Sequence, residues 1–201
     1  MELELIFPNE EYRKEVELFK KNMLDNNSRM DGCGSLRIDD FDTWLERCID
    51  YKDGKNMPNN MPPYIQYICI RKNDNKVIGM LQIRHKEINP IFGNIGYSIA
   101  FDERGKGYSK MMLKLGLEEC EKLNLDRVMI NCLVTNEASR RCILANGGVL
   151  LDRMFVKERN YDIERYYIYL SDEEVRILEA MLEDCKRRKR EYGIEDVGAT
   201  I

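Results

Sequence analysis

The chain has 201 residues, 43% of them apolar and 34% charged, with a net charge of −4. This suits one folded domain with an appendage, is too mixed for disorder, and excludes the global basic character of a nucleic-acid binder. No apolar run reaches the ~20 residues of a membrane span. "MELELIFPNEEYRKE" lacks the basic and apolar regions of a secretory signal, so no membrane partner and a cytoplasmic setting are expected.

In chain order, "LELIF" (3–7) reads as a short strand. A helix follows over "EEYRKEVELFKKNML", with Asn9 as its N-cap and Tyr12, Val16, Phe19 and Met23 at helical spacing. "DDFDTWLERCIDY" predicts a second helix, with Phe41, Leu45, Cys48 and Ile49 on its apolar side and Trp44 extending it. "DGKNMPNNMPP" (53–63) is a loop. "YIQYICIRK" and "KVIGMLQIRHK" flank "NDN" as a β-hairpin, "INPIFG" turns, and "NIGYSIAF" is the next strand. A glycine-containing stretch opens a helix over "YSKMMLKLGLEECEKLN", whose Leu113, Leu117 and Cys120 share a face. A strand at "DRVMINCLV", a short helix in "TNEASRRCILANGG" stopped at Gly147, and a hairpin around "NYD" come next. Ser171 caps a last helix, apolar through Val175, Leu178, Met181 and Leu182. Hairpins early and helices between later strands imply an α/β fold with a mixed, mainly antiparallel central sheet and flanking helices, plus a C-terminal helix. The division is a domain over 1–170 and a helical extension over 171–201.

The seven cysteines include no C-x-x-C pair, so no zinc or other metal site is expected. Cys69, Cys120 and Cys142 fall in apolar patterns as small core residues. A catalytic cysteine would need an activating base, and His85 is the chain's only histidine.

"DERGKGYS", from Asp102 to Ser109, places two glycines where a helix must nucleate. Glycine there lowers helix stability, but it lets an anion approach backbone N–H groups at the positive end of the helix dipole. A polar turn with solubilising charges is the plainer reading of the stretch alone. Nucleotide binding of the P-loop or dinucleotide type is disfavoured, since neither glycine spacing is present.

The element order and the string from "IGYSIAF" to "ANGG" resemble the GCN5-related N-acetyltransferase (GNAT) family. Its central signature reads here Arg104-Gly105-Lys106-Gly107-Tyr108-Ser109, and a second reads Asn136, Ser139 and Gly147. The chain also resembles a bacterial subset of predicted acetyltransferases with Arg84-His85 before Ile95-Gly96-Tyr97. The resemblance implies the acyl-CoA N-acyltransferase fold, with acetyl-coenzyme A as co-substrate. Backbone N–H groups from Arg104 to Ser109 would hold the pyrophosphate, and the strand edge at Ile99, Ala100 and Phe101 would pair with the pantetheine arm beside a splay in the sheet. Asn136 and Ser139 would contact the cofactor; Asn136 reads equally as a helix cap, and both roles are compatible. Many family members carry a tyrosine acid seven residues after that asparagine. Here that position is Ile143, which cannot donate a proton.

The implied reaction is direct attack of a primary amine, on a small molecule or peptide, upon the acetyl thioester. His85 is the catalytic candidate for taking the amine's proton, with its unperturbed pKa near 6.5; a neutral core histidine is the alternative. Glu87 and Glu103 are further acceptor-side candidates, read more strongly as solvated surface. The loops at 28–40 and 53–63 are expected to wall the acceptor site. A non-catalytic acyl-coenzyme-A sensor is the rival function. A homodimer through the last helix is an open possibility, and the basic run 186–190 reads as a dipole-matched helix end.

Overall fold

A computed structural model describes residues 2–58, 61–86 and 90–191. Seven strands, β1 (Leu3–Ile6), β2 (Ile65–Arg71), β3 (Lys76–Ile83), β4 (Ile95–Ile99), β5 (Arg127–Leu133), β6 (Val149–Val156) and β7 (Tyr161–Tyr169), form one sheet in the order β1-β2-β3-β4-β5-β7-β6. Every neighbouring pair is antiparallel except β4 and β5. The helices are α1 (Arg13–Asp25), α2 (Phe41–Lys52), α3 (Tyr108–Lys122), α4 (Glu137–Leu144) and α5 (Asp172–Glu191). The expected mixed sheet with flanking helices is thus the observed architecture.

Local chemistry explains the helix ends. Asn9 does cap, but it caps a 3-10 turn (Glu10–Tyr12) that leads into α1. Asp40 caps α2 by accepting from the Thr43 N–H at 2.8 Å. The buried face of α2 is Phe41, Trp44, Cys48 and Tyr51, whereas Ile49, expected on it, is 53% exposed. Trp44 sets this rotation: it is fully buried, and its Nε1 donates to the Cys33 carbonyl at 3.0 Å.

The sheet separates two cores. Val16, Phe19 and Met23 of α1 pack with Trp44 of α2 on one side, and α3 packs through Met112, Leu113, Leu117 and Cys120 on the other. A bulge in β3 serves both: its register against β2 skips Ile78, so Val77 and Met80 join the first core while Ile78, Leu81 and Ile83 join the second. Ser171 caps α5 by accepting from the Glu174 N–H. Met181, expected on the apolar face of α5, is 63% exposed, and Arg187 of the basic run pairs with Asp184 on the same helix. Among the described residues no helix is long and apolar enough to cross a membrane.

The functional feature of the sheet is its middle. β4 and β5 pair at one position only, Ile95 opposite Ile130. At that end Asn94, 1% exposed, ties three strands together. Its backbone donates to the Met129 carbonyl (2.7 Å) and accepts from the Arg84 N–H (2.8 Å). Its side chain accepts from the Met129 N–H and donates to the Arg84 carbonyl, both at 2.8 Å. Beyond Ile95 the two strands part. Asn94→Ala would leave the Met129 N–H and the Arg84 carbonyl short of a partner, at about 1–3 kcal/mol for each buried group left unsatisfied. Urea denaturation should show a loss in that range; an unfolding free energy within about 0.5 kcal/mol of wild type, the usual effect of a neutral surface change, would contradict the clamp.

Candidate active site

The loop ahead of α3 is built for exposed backbone. Gly105 and Gly107 take φ of +76° and +82°, the left-handed region that side chains avoid, and Gly107 is the N-cap residue of α3. A Cβ at either would meet no atom within 4 Å, so conformation and open access, not packing, call for glycine. The N–H groups of Gly105 to Ser109 precede the first intrahelical bonds. Arg104 is different: its N–H closes on the Phe101 carbonyl (3.4 Å), its Nε donates to the Ile99 carbonyl (3.2 Å), and its guanidinium lies over the Phe101 ring. It braces the loop against β4. Tyr108 is buried and accepts from Arg71 through its hydroxyl, so it offers the loop only its backbone.

Glu103 overturns the expectation of a solvated surface residue. It is 3% exposed and accepts from Arg71 (3.0 Å), Lys76 (2.7 Å) and Lys106 (2.8 Å). Burial alone would raise its carboxyl pKa, but Lys106, Lys76 and Arg71 outweigh it and hold the value at about 2. A carboxylate so stabilised is no proton acceptor; it anchors the glycine loop to β2 and β3. Glu87, the other acidic candidate, lies outside the described residues.

The splay opens the edge of β4. The Ala100 N–H donates to the Ile78 carbonyl at 2.9 Å. Opposed pairs in an antiparallel ladder alternate between bonded and non-bonded, so Ser98 and Gly96 also spend their backbone groups on β3. Tyr97 and Ile99 turn theirs toward β5, which has diverged. Of the three residues expected to offer an edge, Ile99 therefore faces the gap. Ala100 is committed to β3, and the Phe101 N–H is committed to Asn22 Oδ1 at 2.8 Å.

Two chambers meet at the gap. A cleft of about 480 Å³ runs along the glycine loop and Ile99 to the start of α4. A smaller cavity of about 140 Å³ lies among the α1–α2 loop, the β3–β4 connection, β5 and the β6–β7 turn. Both are lined by Arg29, Asp31, Tyr97, Asn136 and Ser139. Asn136 caps α4, its Oδ1 accepting from the Ser139 N–H at 3.1 Å, while facing both chambers. The Ser139 hydroxyl lies 3.0 Å from the Tyr97 hydroxyl, and burial pushes the Tyr97 phenol well above its ordinary value. Ile143 is fully buried, and a Cβ on Gly148 would fall 2.4 Å from its Cγ2, so this turn of α4 is packed tight.

The α1–α2 loop walls the cavity through Arg29, Asp31 and Gly32, as expected of 28–40. No described residue of 53–63 lines either chamber. His85 follows the end of β3, is half-buried, and lines neither chamber. Its Nδ1 is buried with no partner, and burial together with Lys86 lowers its pKa. Sequence reasoning gave no role to Asp31, Tyr97 or Arg159, which only the folded chain brings together. The cysteines at 33, 48, 69, 120, 132 and 142 are free and buried. Burial raises their thiols, Cys69 and Cys120 to about 12, so none is a ready nucleophile.

The sheet is thus open and mixed, split at its centre, with a glycine-containing helix start at the mouth of the split. The description of the acetyltransferase (GNAT) domain matches residues 13–149, and the chain belongs to that family. It is an acetyl-coenzyme-A-dependent N-acetyltransferase. Among solved structures it is similar in fold to a ribosomal-protein-S5-alanine acetyltransferase from Vibrio fischeri (TM-score 0.62, 15% identity, 86% of this chain and 95% of that one). It is likewise similar to the microcin C7 self-immunity acetyltransferase in complex with acetyl-CoA and AMP (TM-score 0.61, 20% identity, 84% and 93%). A third is a variant of the spermidine N-acetyltransferase from Vibrio cholerae (TM-score 0.57, 19% identity, 84% and 95%). Among curated proteins no sequence matches.

Because the Glu103 carboxyl is held below its ordinary 4.5, the stability it contributes is complete above pH 4.5 and is lost as pH falls toward about 2. Glu103→Gln, which removes a shared carboxylate from the half-buried Arg71 and Lys76 and the exposed Lys106, should cost about 3 kcal/mol near neutral pH. In acid titrations followed by circular dichroism the gap between variant and wild type should close below pH 4.5. A gap that stays constant would show that the charge of Glu103 is not the source.

Proposed function

We propose that the larger cleft takes acetyl-coenzyme A and the smaller cavity takes a primary amine, with acetyl transfer across the gap in the sheet. The observation that carries this reading is the meeting of the two chambers at Tyr97, Ser139 and Asp31. The residues present fit the co-substrate: the backbone from Gly105 leads into the start of α3, and a Cβ on Gly105 or Gly107 would meet no atom within 4 Å, which leaves the approach open to a pyrophosphate. Acetyl-coenzyme A supplies the acetyl group as a thioester.

The N–H groups of Tyr97 and Ile99 pair with the pantetheine arm as an added strand would and polarise the thioester carbonyl. Asp31 is the one carboxylate lining the cavity among the described residues. It accepts the amine's proton, directly or through water. The Tyr97–Ser139 hydroxyl pair replaces the tyrosine that Ile143 displaces. A phenol raised above its ordinary value of about 10 stays protonated beside a thiolate whose pKa is about 8.5, so the pair stabilises the leaving sulfur by a hydrogen bond while solvent supplies the proton. His85 lines neither chamber and takes no part in proton transfer. The similar structures include acetyltransferases of a ribosomal protein and of spermidine, which supports an amine acceptor without choosing one.

Gly107→Val forces a branched side chain into the left-handed region and over the loop. Calorimetry should show coenzyme A affinity reduced at least tenfold with the fold retained; equal affinity would place the pyrophosphate elsewhere. Turnover on an amine panel separates transferase from sensor, since a sensor binds and releases no free thiol. With an active amine in hand, Asp31→Asn should lower kcat by ~10²–10⁴, the usual worth of general-base catalysis, while His85→Gln keeps the wild-type pH–rate profile. The reverse pattern would return the base to His85.

A further inference from the structure

We infer that the acceptor is an amine that also carries a carboxylate, bound by Arg84 at the inner end of the smaller cavity. The inference rests on the transferase reading above and narrows it from any amine to amino-acid-like acceptors.

The wall of that cavity is unbalanced in charge. Arg29, Arg84 and Arg159 line it, against the single carboxylate of Asp31. Asp31 pairs with Arg29 through one bond to each oxygen (3.0 and 3.1 Å), which leaves each oxygen a further lone pair for the amine but no direct bond to Arg84. Arg159 meets the Tyr161 hydroxyl at 3.2 Å and the Phe92 ring at 5.0 Å, and makes no ion pair among the described residues.

Arg84 is the telling residue. Its guanidinium donates to the Gln82 Oε1 (2.7 Å) and to the Phe92 and Gly93 carbonyls (3.3 and 3.5 Å). All three partners are neutral, and among the described residues no carboxylate pairs with it. Burial lowers its pKa to about 10, and the charge of Asp31, which makes no direct ion pair with it, offsets this only in part. A half-buried cation with no carboxylate in direct contact is costly to keep. Its retention on the wall of a substrate cavity is explained if the substrate brings the anion. The planar guanidinium suits a carboxylate, which it can hold by two parallel bonds.

A second orphan of opposite sense lies on the same wall. The Asn131 side chain donates to the Pro90 carbonyl at 2.9 Å, but its Oδ1 is buried and has no donor among the described residues. The cavity thus holds a cation without an anion and an acceptor without a donor. A zwitterionic ligand, with carboxylate and N–H groups a few ångströms apart, satisfies both. A polyamine would bring only positive charge to a wall that is already cationic.

The test uses matched pairs that differ only in the carboxylate: lysine against cadaverine, and phenylalanine against phenethylamine. Turnover is measured with acetyl-coenzyme A, and binding by calorimetry in the presence of coenzyme A, so that binding decides if no amine turns over. The carboxylated member of at least one pair should be preferred. For it, Arg84→Gln should raise KM or the dissociation constant roughly 10- to 100-fold, the worth of one charge-assisted contact. It should leave the decarboxylated partner and coenzyme A affinity unchanged, with partial recovery in Arg84→Lys. Arg159→Gln, at an exposed position, covers the case in which Arg84→Gln does not fold; it should weaken the same preference less. Equal or better use of cadaverine and phenethylamine by the wild type, or a preference that survives Arg84→Gln, would overturn the inference. Loss of coenzyme A binding or turnover on every amine would count against the transferase reading instead.

Discussion

One polar side chain, the amide of Asn94, decides the shape of this molecule's working centre. Parallel strands side by side normally stay paired, because each unpaired N–H or carbonyl costs free energy once it is buried. Here the pairing of β4 with β5 stops after Ile95. Asn94 makes the early end secure enough for that, by bonding to β3 and β5 with both backbone and side chain. The gap that follows exposes the β4 edge at Tyr97 and Ile99. Every later feature, from the cleft to the second chamber, is placed relative to that fork.

Two buried carboxylates hold the surroundings of the fork. Glu103 gathers Arg71, Lys76 and Lys106 at the base of the glycine loop. Glu164 on β7 receives Arg140 from α4 at 2.7 Å, Arg153 from β6 at 2.9 Å and the Tyr166 hydroxyl at 2.7 Å. The first fixes the glycine loop ahead of α3, and the second fixes the helix that carries Asn136 and Ser139. Buried ion pairs are weak contributors to net stability but costly to break. Their value here is positional: both ends of the cleft are set by groups that cannot relax singly.

The order of elements, the sheet's mixed character and the glycine loop were legible because each depends on local signals: alternation, capping residues and turn chemistry. The α2 face was misread at Ile49, because the helix's rotation is set by the Trp44 bond to Cys33, which periodicity cannot show. Glu103 reads as surface in a stretch full of charges, since burial depends on three cations drawn from distant strands and the loop itself. The acceptor chamber was the least legible part. Asp31, Tyr97, Arg84 and Arg159 lie on four different segments, and nothing in their spacing announces that they share a wall. Arg84 follows Gln82 by two residues and bonds to it, but the lack of a direct ion pair at Arg84 appears only in three dimensions.

The α1–α2 loop touches β4 backbone to backbone. A Cβ on Gly32 would fall 2.1 Å from the Gly96 carbonyl oxygen, and the Asp31 and Gly32 carbonyls are held by Ser98 (2.7 Å) and Gln66 (2.8 Å). A segment seated this way inherits the rigidity of the sheet, although it has no regular structure of its own. On the proposed reading the acceptor wall is then anchored to the sheet before any ligand arrives. Discrimination among amines follows from which side chains stud that mould, and a change of substrate in a related enzyme would come by exchanging those side chains while the glycine contact beneath them stays in place.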